Sequence, residues 1–338
     1  MTQDVAQTQT AGTPVVPVRR KKRWIRWLKR IALGAIGLVV LVGLAGTVYE
    51  WLASRADGRR FPQQGRSVEV GGFRLHIDCA GTAPPGTPTV ILESGGGVPA
   101  LGWKFVQPGI AQFTKVCSYD RAGYGWSDPP VDPLRTSLQI AKELHALLQN
   151  ANVPPPYVLV GHSLGGFNIR VYNGQYPDEV AGAVFVDSSH PDQLQRATPG
   201  LKKLSDKSLK SFRWQVVLFR VAIDCGAMRL LQRSARKQQT LPLDFMEELE
   251  YLQRKEAFIT AAAGEVSAFE EGASQVRNSR NFGNKPVIVL TAGKFPEVPG
   301  ISKEESNQFL EIWIHELQPQ LAQLSTRGKQ VVVPDSDH

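Results

Sequence analysis

One serine stands in a pattern that can make its hydroxyl a nucleophile. Ser163 is the centre of a Gly161-x-Ser163-x-Gly165 segment that directly follows the apolar run Tyr157–Val160. The apolar run predicts a buried strand, and the residues after Gly165 have the apolar spacing of an amphipathic helix. A strand, a tight turn and a helix around Gly-x-Ser-x-Gly are the context of a nucleophile elbow. Glycines are expected at this corner because larger side chains would collide with neighbouring strands and the helix.

A serine hydroxyl is a weak nucleophile near neutral pH and needs a base, which a third group must orient. The sequence has six histidines, and two of them follow predicted strands beyond the elbow, namely His190 and His338. Asp187 directly follows one predicted strand, and Glu297 follows the next one.

The elements that must position these residues are short apolar strands alternating with helical segments. The predicted strands are Arg66–Val70, Phe73–Ile77, Thr89–Leu92, Val116–Tyr119, Tyr157–Val160, Gly182–Val186, Lys285–Leu290 and Gln330–Val333. Helical spacing lies between them, for example over Ser137–Ala151. This alternation predicts an α/β fold with a mostly parallel sheet that is covered by helices on both faces.

Residues 191–283 interrupt the alternation, because they contain no strand-like run and much helical spacing. We interpret them as an inserted helical cap. From Arg196 to Lys237 there are eleven basic and two acidic residues, and the apolar run Trp214–Ile223 lies among them. Contact with an anionic membrane surface is one interpretation of this composition. A solvated face over a substrate pocket is the other, and we favour it.

The formal net charge of +8 is confined to residues 1–60, which hold eleven Lys/Arg and three Asp/Glu; 28 of each sign remain elsewhere. The folded part therefore has no excess of positive charge that would indicate nucleic-acid binding. The three cysteines, Cys79, Cys117 and Cys225, are too few and too scattered for a metal site or a disulfide framework.

An uncharged apolar segment, Ile31–Tyr49, follows a basic cluster. As a helix it spans roughly 28 Å, about the thickness of a bilayer's hydrocarbon core. A cleaved secretory signal has a shorter apolar region and a small-x-small cleavage site, which is missing here before the polar stretch. We therefore predict a basic cytoplasmic tail at 1–30, a transmembrane signal anchor at 31–51 and a polar linker at 52–66. Eight basic residues precede the segment and three follow it, so the positive-inside rule predicts a cytoplasmic N-terminus and an extracytoplasmic catalytic domain.

Four segments, in order, resemble the α/β-hydrolase superfamily, specifically members with a serine nucleophile and a helical cap. They are the elbow, Glu93–Gly97 after the third strand, Tyr119–Asp128 after the fourth and Ser336–His338 after the last. The resemblance covers roughly 67–338 and implies an α/β-hydrolase fold, acyl transfer to water, no cofactor and no metal. The serine nucleophile argues against dehalogenase or epoxide chemistry, which use an aspartate.

The resemblance also implies roles for individual residues. His338 lies where the family has its base and is favoured over His190, and Asp187 is favoured over Glu297 as the acid. The N–H of Leu164, next to the nucleophile, is expected to be one oxyanion donor, and Gly95 or Gly96 the other. Cys79 and Cys117 end strands that are neighbours in this fold; we expect two buried thiols there rather than a disulfide.

The sequence thus predicts a membrane-anchored serine hydrolase of carboxylic esters, with thioesters and lipids as further candidate substrates. Cofactor-free perhydrolysis and carbon–carbon bond hydrolysis by the same fold are the alternative reactions. His338 is the last residue, whereas the family continues with a final helix. We therefore expect reduced activity or stability, and a non-catalytic, membrane-tethered binding module is the alternative from another class.

Overall fold

The computed structural model of the protein describes residues 21–236 and 241–338, together with Gly12. Within these residues eight strands form one sheet in the order β1-β2-β4-β3-β5-β6-β7-β8. The strands are β1 (Arg66–Glu69), β2 (Arg74–Ala80), β3 (Thr89–Glu93), β4 (Val116–Tyr119), β5 (Tyr157–His162), β6 (Val180–Val186), β7 (Gly283–Ala292) and β8 (Ser325–Val333). Strand β2 is antiparallel to β1 and β4, and all other neighbours are parallel. The predicted mostly parallel sheet is confirmed.

Helices connect the parallel strands and form the cap. They are α1 (Lys21–Arg60), α2 (Gln107–Ile110), α3 (Ser137–Asn150), α4 (Gly165–Gln175), α5 (Gln193–Arg196), α6 (Pro199–Asp224), α7 (Ala227–Ala235), α8 (Leu243–Gln253), α9 (Glu256–Ser267), α10 (Phe269–Arg277), α11 (Lys303–Ile312) and α12 (Gln318–Ala322). The described residues also contain 3-10 turns at Ala100–Trp103 and Pro177–Glu179 and a π-helical turn at Trp313–Leu317. The segment 191–283 contains α5 to α10.

The main core lies between the sheet and α3, α4 and α10. Leu144 of α3 and Phe167 of α4 are fully buried there against strand residues such as Phe185 and Val289. Burying a side chain of this size stabilises the fold by about 1.5–3 kcal/mol. On the other face, Trp103 covers β3, β4 and β5, so both faces of the central strands are apolar. This packing explains why these strands appear in the sequence as continuous apolar runs.

Helix α1 is longer than the sequence predicts, because residues 52–60 of the predicted linker continue it without a break. The reason is tertiary contact, since α1 packs on α6 and α8. The part of α1 from Trp24 to Arg60 is long and apolar enough, by length and composition, to cross a membrane. Residues 1–11 and 13–20 of the predicted basic tail lie outside the described residues.

The expectation of two buried thiols is wrong, because Cys79 and Cys117 form a disulfide. The two cysteines are directly opposite each other in the antiparallel pair of β2 and β4. This register brings their Cα atoms within 4.1 Å. Cys225 is the third cysteine and is a free thiol.

The disulfide gives a chemical prediction. Alkylation of the unfolded, unreduced protein should modify Cys225 alone, and prior reduction should raise the number of modified cysteines to all three. Intact-mass spectrometry measures this directly. Replacing Cys79 and Cys117 together by alanine should lower the free energy of unfolding by about 2–4 kcal/mol, because the bond constrains the unfolded chain. Alkylation of three cysteines before reduction would contradict the bond.

Candidate active site

Ser163 occupies a strained corner between β5 and α4. Its φ of 50° lies in the left-handed region, which a non-glycine residue adopts only when its surroundings hold it there. The corner is held by its backbone: the carbonyl of Ser163 accepts hydrogen bonds from the N–H groups of Gly166 and Ser189, at 2.9 and 3.0 Å. A Cβ on Gly161 would lie 2.7 Å from the Gly165 carbonyl oxygen, so this pair of glycines is sterically required.

The structure brings Ser163, His338 and Asp187 into one hydrogen-bonded chain. The Nε2 atom of His338 lies 3.0 Å from the Ser163 Oγ. Its Nδ1 atom lies 2.5 Å from the Asp187 Oδ2. With the proton on Nδ1, the imidazole donates to the carboxylate and its Nε2 is free to accept the serine proton. This arrangement can activate a serine hydroxyl.

The carboxylate of Asp187 is held by two further donors. Its Oδ1 atom accepts hydrogen bonds from the Trp313 indole N–H at 2.7 Å and from the Ala292 N–H at 3.0 Å. Burial alone would raise the pKa of Asp187, but the hydrogen bonds from His338, Trp313 and Ala292 keep that pKa below its ordinary value. Asp187 is therefore a carboxylate at neutral pH, and its orientation is fixed from both oxygens.

The two rival candidates lie in other environments. Glu297 is 88% exposed and pairs with Lys303 at 3.6 Å. His190 is buried, and its Nδ1 atom accepts a hydrogen bond from the Asp192 N–H at 3.1 Å. Burial, with the nearby Arg170 and Arg277, lowers the pKa of His190 to about 4. The hydrogen-bonded partner of Ser163 is thus His338, and that of His338 is Asp187.

The predicted oxyanion donors lie beside the nucleophile. Leu164 directly precedes α4, and its side chain faces Gly96, where an added Cβ would be 3.5 Å away. A Cβ on Gly95 would lie 3.1 Å from the Ser163 Cβ and 2.9 Å from the His162 Nδ1. Only glycine permits this approach of the loop to Ser163.

A buried arginine fixes this loop from behind. Arg121 donates to the carbonyl oxygens of Ser94 and Gly95, at 2.7 and 2.8 Å. It also pairs with Glu93 at 2.7 Å and with Glu265 of α9 at 2.6 Å. Burial would lower the pKa of Arg121, but Glu265 and Glu93 raise it well above its ordinary value, so the guanidinium stays charged. The loop beside Ser163 is thereby tied to the cap.

Sequence reasoning missed Trp313 and Glu265. Trp313 lies in a helical segment whose spacing indicates packing, and nothing local marks its N–H as a partner of Asp187. Glu265 did carry a signal, because it is the single charged residue in the otherwise small and apolar stretch 257–269. A lone carboxylate in such a stretch indicates a buried partner of opposite charge.

An apolar cavity of about 390 Å³ opens onto Ser163 and His338. Its wall comes from the cap and from the segment after β7, and is formed by Leu194, Leu201, Leu204, Phe295, Phe309 and Leu310. The cavity is large enough for a small organic molecule with an apolar part. Among residues 21–236 and 241–338, there is no group of three or more His, Cys, Asp or Glu side chains that could hold a metal ion.

Comparisons with known proteins agree with this architecture. Residues 88–215 match the family model of the alpha/beta hydrolase fold. The structure of Cfl2 from Burkholderia cenocepacia superposes with a TM-score of 0.59, at 19% identity, over 79% of this chain and 87% of that one, a likeness that shows the fold alone. The chain has the α/β-hydrolase fold, as its sequence predicts.

Two curated relatives match only part of this chain. The "Probable transporter efuK" of Hormonema carpetanum is 34% identical over 36% of this chain and 18% of its own length. An uncharacterized vacuolar membrane protein of Saccharomyces cerevisiae is 29% identical over 36% of this chain and 21% of its own length. The chain thus spans less than a third of the length of these relatives.

Glu265 gives a prediction about stability. Glu265→Gln leaves the buried Arg121 with one carboxylate fewer and should lower the free energy of unfolding by about 3–5 kcal/mol. The matched control is Glu270→Gln, an exposed position, which should change it by less than about 0.5 kcal/mol. Chemical denaturation of the full chain in detergent measures both. Equal effects of the two substitutions would show that the pair of Arg121 and Glu265 does not stabilise the fold.

The lowered pKa of His190 predicts a pH-dependent stability. Its folded pKa of about 4 lies below the ordinary value, so between these values the unfolded chain binds more protons and stability falls as the pH falls. From pH 7 to pH 5 the loss from this group should be about 2 kcal/mol. His190→Gln should reduce the pH dependence of the free energy of unfolding by that amount. An unchanged pH dependence in this variant would contradict the assignment.

Proposed function

We propose that this protein is a membrane-anchored serine hydrolase that cleaves carboxylic esters through an acyl-enzyme on Ser163. The observation that carries the proposal is the hydrogen-bonded chain from Ser163 Oγ through His338 to Asp187. Solved proteins of this fold carry out several different reactions, so the fold by itself does not select ester cleavage. The side chains around Ser163 are what support it.

In the proposed mechanism, Ser163 Oγ attacks the ester carbonyl carbon while His338 Nε2 accepts the hydroxyl proton. Asp187 remains a carboxylate and stabilises the imidazolium. The negative charge on the former carbonyl oxygen is stabilised by the N–H of Leu164 and that of Gly95 or Gly96. The imidazolium then protonates the leaving alcohol, and the acyl group stays on Ser163. A water molecule, deprotonated by His338, releases the acid and restores the serine.

The shape of the cavity supports an apolar acyl or alcohol group. Leucine and phenylalanine side chains line it, and Ser163 and His338 are among its lining residues. Burying each methylene of a substrate in such a site contributes about 0.8 kcal/mol, so affinity should rise with chain length until the cavity is filled. We therefore propose esters with an apolar chain as the substrates.

The proposed membrane anchor is the N-terminal part of α1. Its uncharged apolar segment, the preceding basic residues and the exposure of its side chains from Trp24 to Leu41 support a single membrane span. The disulfide between Cys79 and Cys117 supports an extracytoplasmic catalytic domain, because disulfides are rare in reducing compartments. The vacuolar membrane location in the name of the yeast relative agrees with membrane attachment.

Covalent labelling tests the proposed function. A fluorophosphonate probe should modify Ser163 in the full chain, and Ser163→Ala should abolish the labelling. Asp187→Asn should lower the kcat for nitrophenyl esters by about 10³–10⁴-fold, because the base loses its orienting carboxylate. Glu297→Gln is the matched control, since it removes the rival carboxylate and should leave kcat unchanged. Absence of labelling in folded protein would refute the hydrolase and favour a binding module.

A further inference from the structure

The base of α1 is fixed to the cap by buried ion pairs. Arg229 of α7 binds both carboxylate oxygens of Glu50, at 2.7 and 2.8 Å, and Asp57 at 2.6 Å. Arg254, directly after α8, also donates to Asp57, at 3.0 Å. Arg229 and Glu50 are 5% and 6% exposed, so this set of pairs, here called the anchor clamp, holds α1 and the cap together as one body.

The clamp sets the depth of the cap relative to the proposed membrane span. The turn between α6 and α7 lies against α1, where a Cβ on Gly46 would be 2.1 Å from the Cys225 carbonyl oxygen. Gly46 belongs to the uncharged apolar segment of α1 and precedes Tyr49 by three residues, about 4.5 Å along the helix. The turn therefore lies level with the end of the apolar segment, where a bilayer's hydrocarbon gives way to headgroups.

The two helices that this turn joins carry large, exposed apolar side chains. They form the apolar cap face, which consists of Trp214, Val217, Leu218 and Val221 on α6 and Leu230 and Leu231 on α7. The α6 positions follow the spacing i, i+3, i+4, i+7 and so lie on one side of the helix. Trp214 is 72% exposed and Leu218 is 66% exposed. The opposite side of α6 is already used, because Val216 and Ile223 pack on α9.

The charge of α6 fits an anionic surface next to this face. The helix has six basic and two acidic residues. Four lysines line a groove together with Asp206 and Trp214, namely Lys202, Lys203, Lys207 and Lys210. Basic residues beside an exposed apolar stripe are the composition of helices that lie in the interface of a membrane with anionic lipids.

The same helix forms part of the catalytic cavity. Leu201 and Leu204, in the N-terminal half of α6, line the cavity that opens onto Ser163. From Leu204 to Leu218 the helix rises about 21 Å, so one rigid element connects the apolar cap face with the cavity wall.

In place of the solvated face that composition alone favours, we propose that the apolar cap face inserts into the headgroup–acyl boundary of the leaflet in which the apolar segment of α1 ends. The cavity then faces that leaflet, and the substrate class is an ester-linked acyl lipid taken from it. The inference of docking depends only on the position of α1 in the membrane. The inference of the substrate class rests on the proposed hydrolase function.

Lipid-borne quenchers measure this docking in the full chain. Single cysteines are placed at Leu218→Cys, Ile36→Cys and Phe113→Cys in a Cys225→Ser background and labelled with bimane. The protein is reconstituted in bilayers whose phospholipids carry a nitroxide near the headgroup end of the acyl chain. Ile36 reports the anchor. Phe113 is the control, because it is 67% exposed and precedes β4 at the sheet edge opposite the cap.

If the face docks, quenching at Ile36 and Leu218 should be several-fold stronger than at Phe113. Quenching at Leu218 should increase further when phosphatidylglycerol is added to the phosphatidylcholine bilayer. Quenching at Ile36 with Leu218 equal to Phe113 overturns the docking but keeps the anchor. Absence of quenching at Ile36 overturns both. If the residue at position 218 is shielded from lipid and can be cross-linked between two chains, the apolar cap face binds a second copy of the protein. This result also overturns the proposal.

A second measurement separates docking from catalysis. Replacing Leu218 and Val221 by aspartate should lower the hydrolysis of ester lipids in vesicles about 10-fold, because charges are costly at this depth. The rates of short soluble esters and of fluorophosphonate labelling should not change, since neither residue lines the cavity. Phe113→Asp is the matched control. If the unaltered protein is not labelled by the fluorophosphonate, the proposed hydrolase function is refuted, and the quenching experiment still tests the docking. If the double substitution lowers the rates for lipid and soluble esters equally, the proposal of a lipid substrate is refuted.

Discussion

Parallel strands bring their carboxyl ends to one edge of the sheet, and the whole candidate site depends on this constraint. Ser163 follows β5, Asp187 follows β6 and His338 follows β8. Ser163 and His338 are 175 residues apart in sequence, yet their side chains are within hydrogen-bond distance. No local interaction can hold residues so distant in sequence at this separation. The hydrogen-bonded register of the strands from β5 through β8 holds them there. The chemistry is therefore only as precise as the packing of the sheet.

The charged groups around the site are buried, and each of them therefore needs hydrogen-bonding partners. A buried carboxylate or guanidinium is tolerated only with partners that replace its hydration. Asp187 obtains them from Trp313 and Ala292 as well as from His338, and Arg121 obtains them from two carboxylates and two carbonyls. These partners come from β3 and the loop after it, from β7, from the segment before β8 and from the cap. The elements around the cavity are thus linked by charge as well as by apolar contact.

The sequence predicts well those features that depend on local signals, namely the ends of strands and the positions of glycines. The parallel sheet, the corner at Ser163 and the positions of Asp187 and His338 after strands all follow from apolar runs and the residues that end them. Trp313 and the disulfide between Cys79 and Cys117 depend on which strands and helices are neighbours, and on their register. The helical state of residues 52–60 depends on contact with the cap. Local propensity indicates a linker there, and tertiary contacts override it.

The anchor clamp restricts how a protein of this architecture can meet a membrane. A flexible linker after the span would let the catalytic domain rotate, and no particular surface would face the lipid. Here α1 continues into the cap, and Glu50 and Asp57 bind Arg229 in a buried site. Rotating the cap relative to α1 would break these pairs and leave charges buried without partners, which typically costs several kcal/mol. With α1 as the proposed membrane span, the surface next to the α6–α7 turn would therefore stay at the membrane, and that surface is apolar.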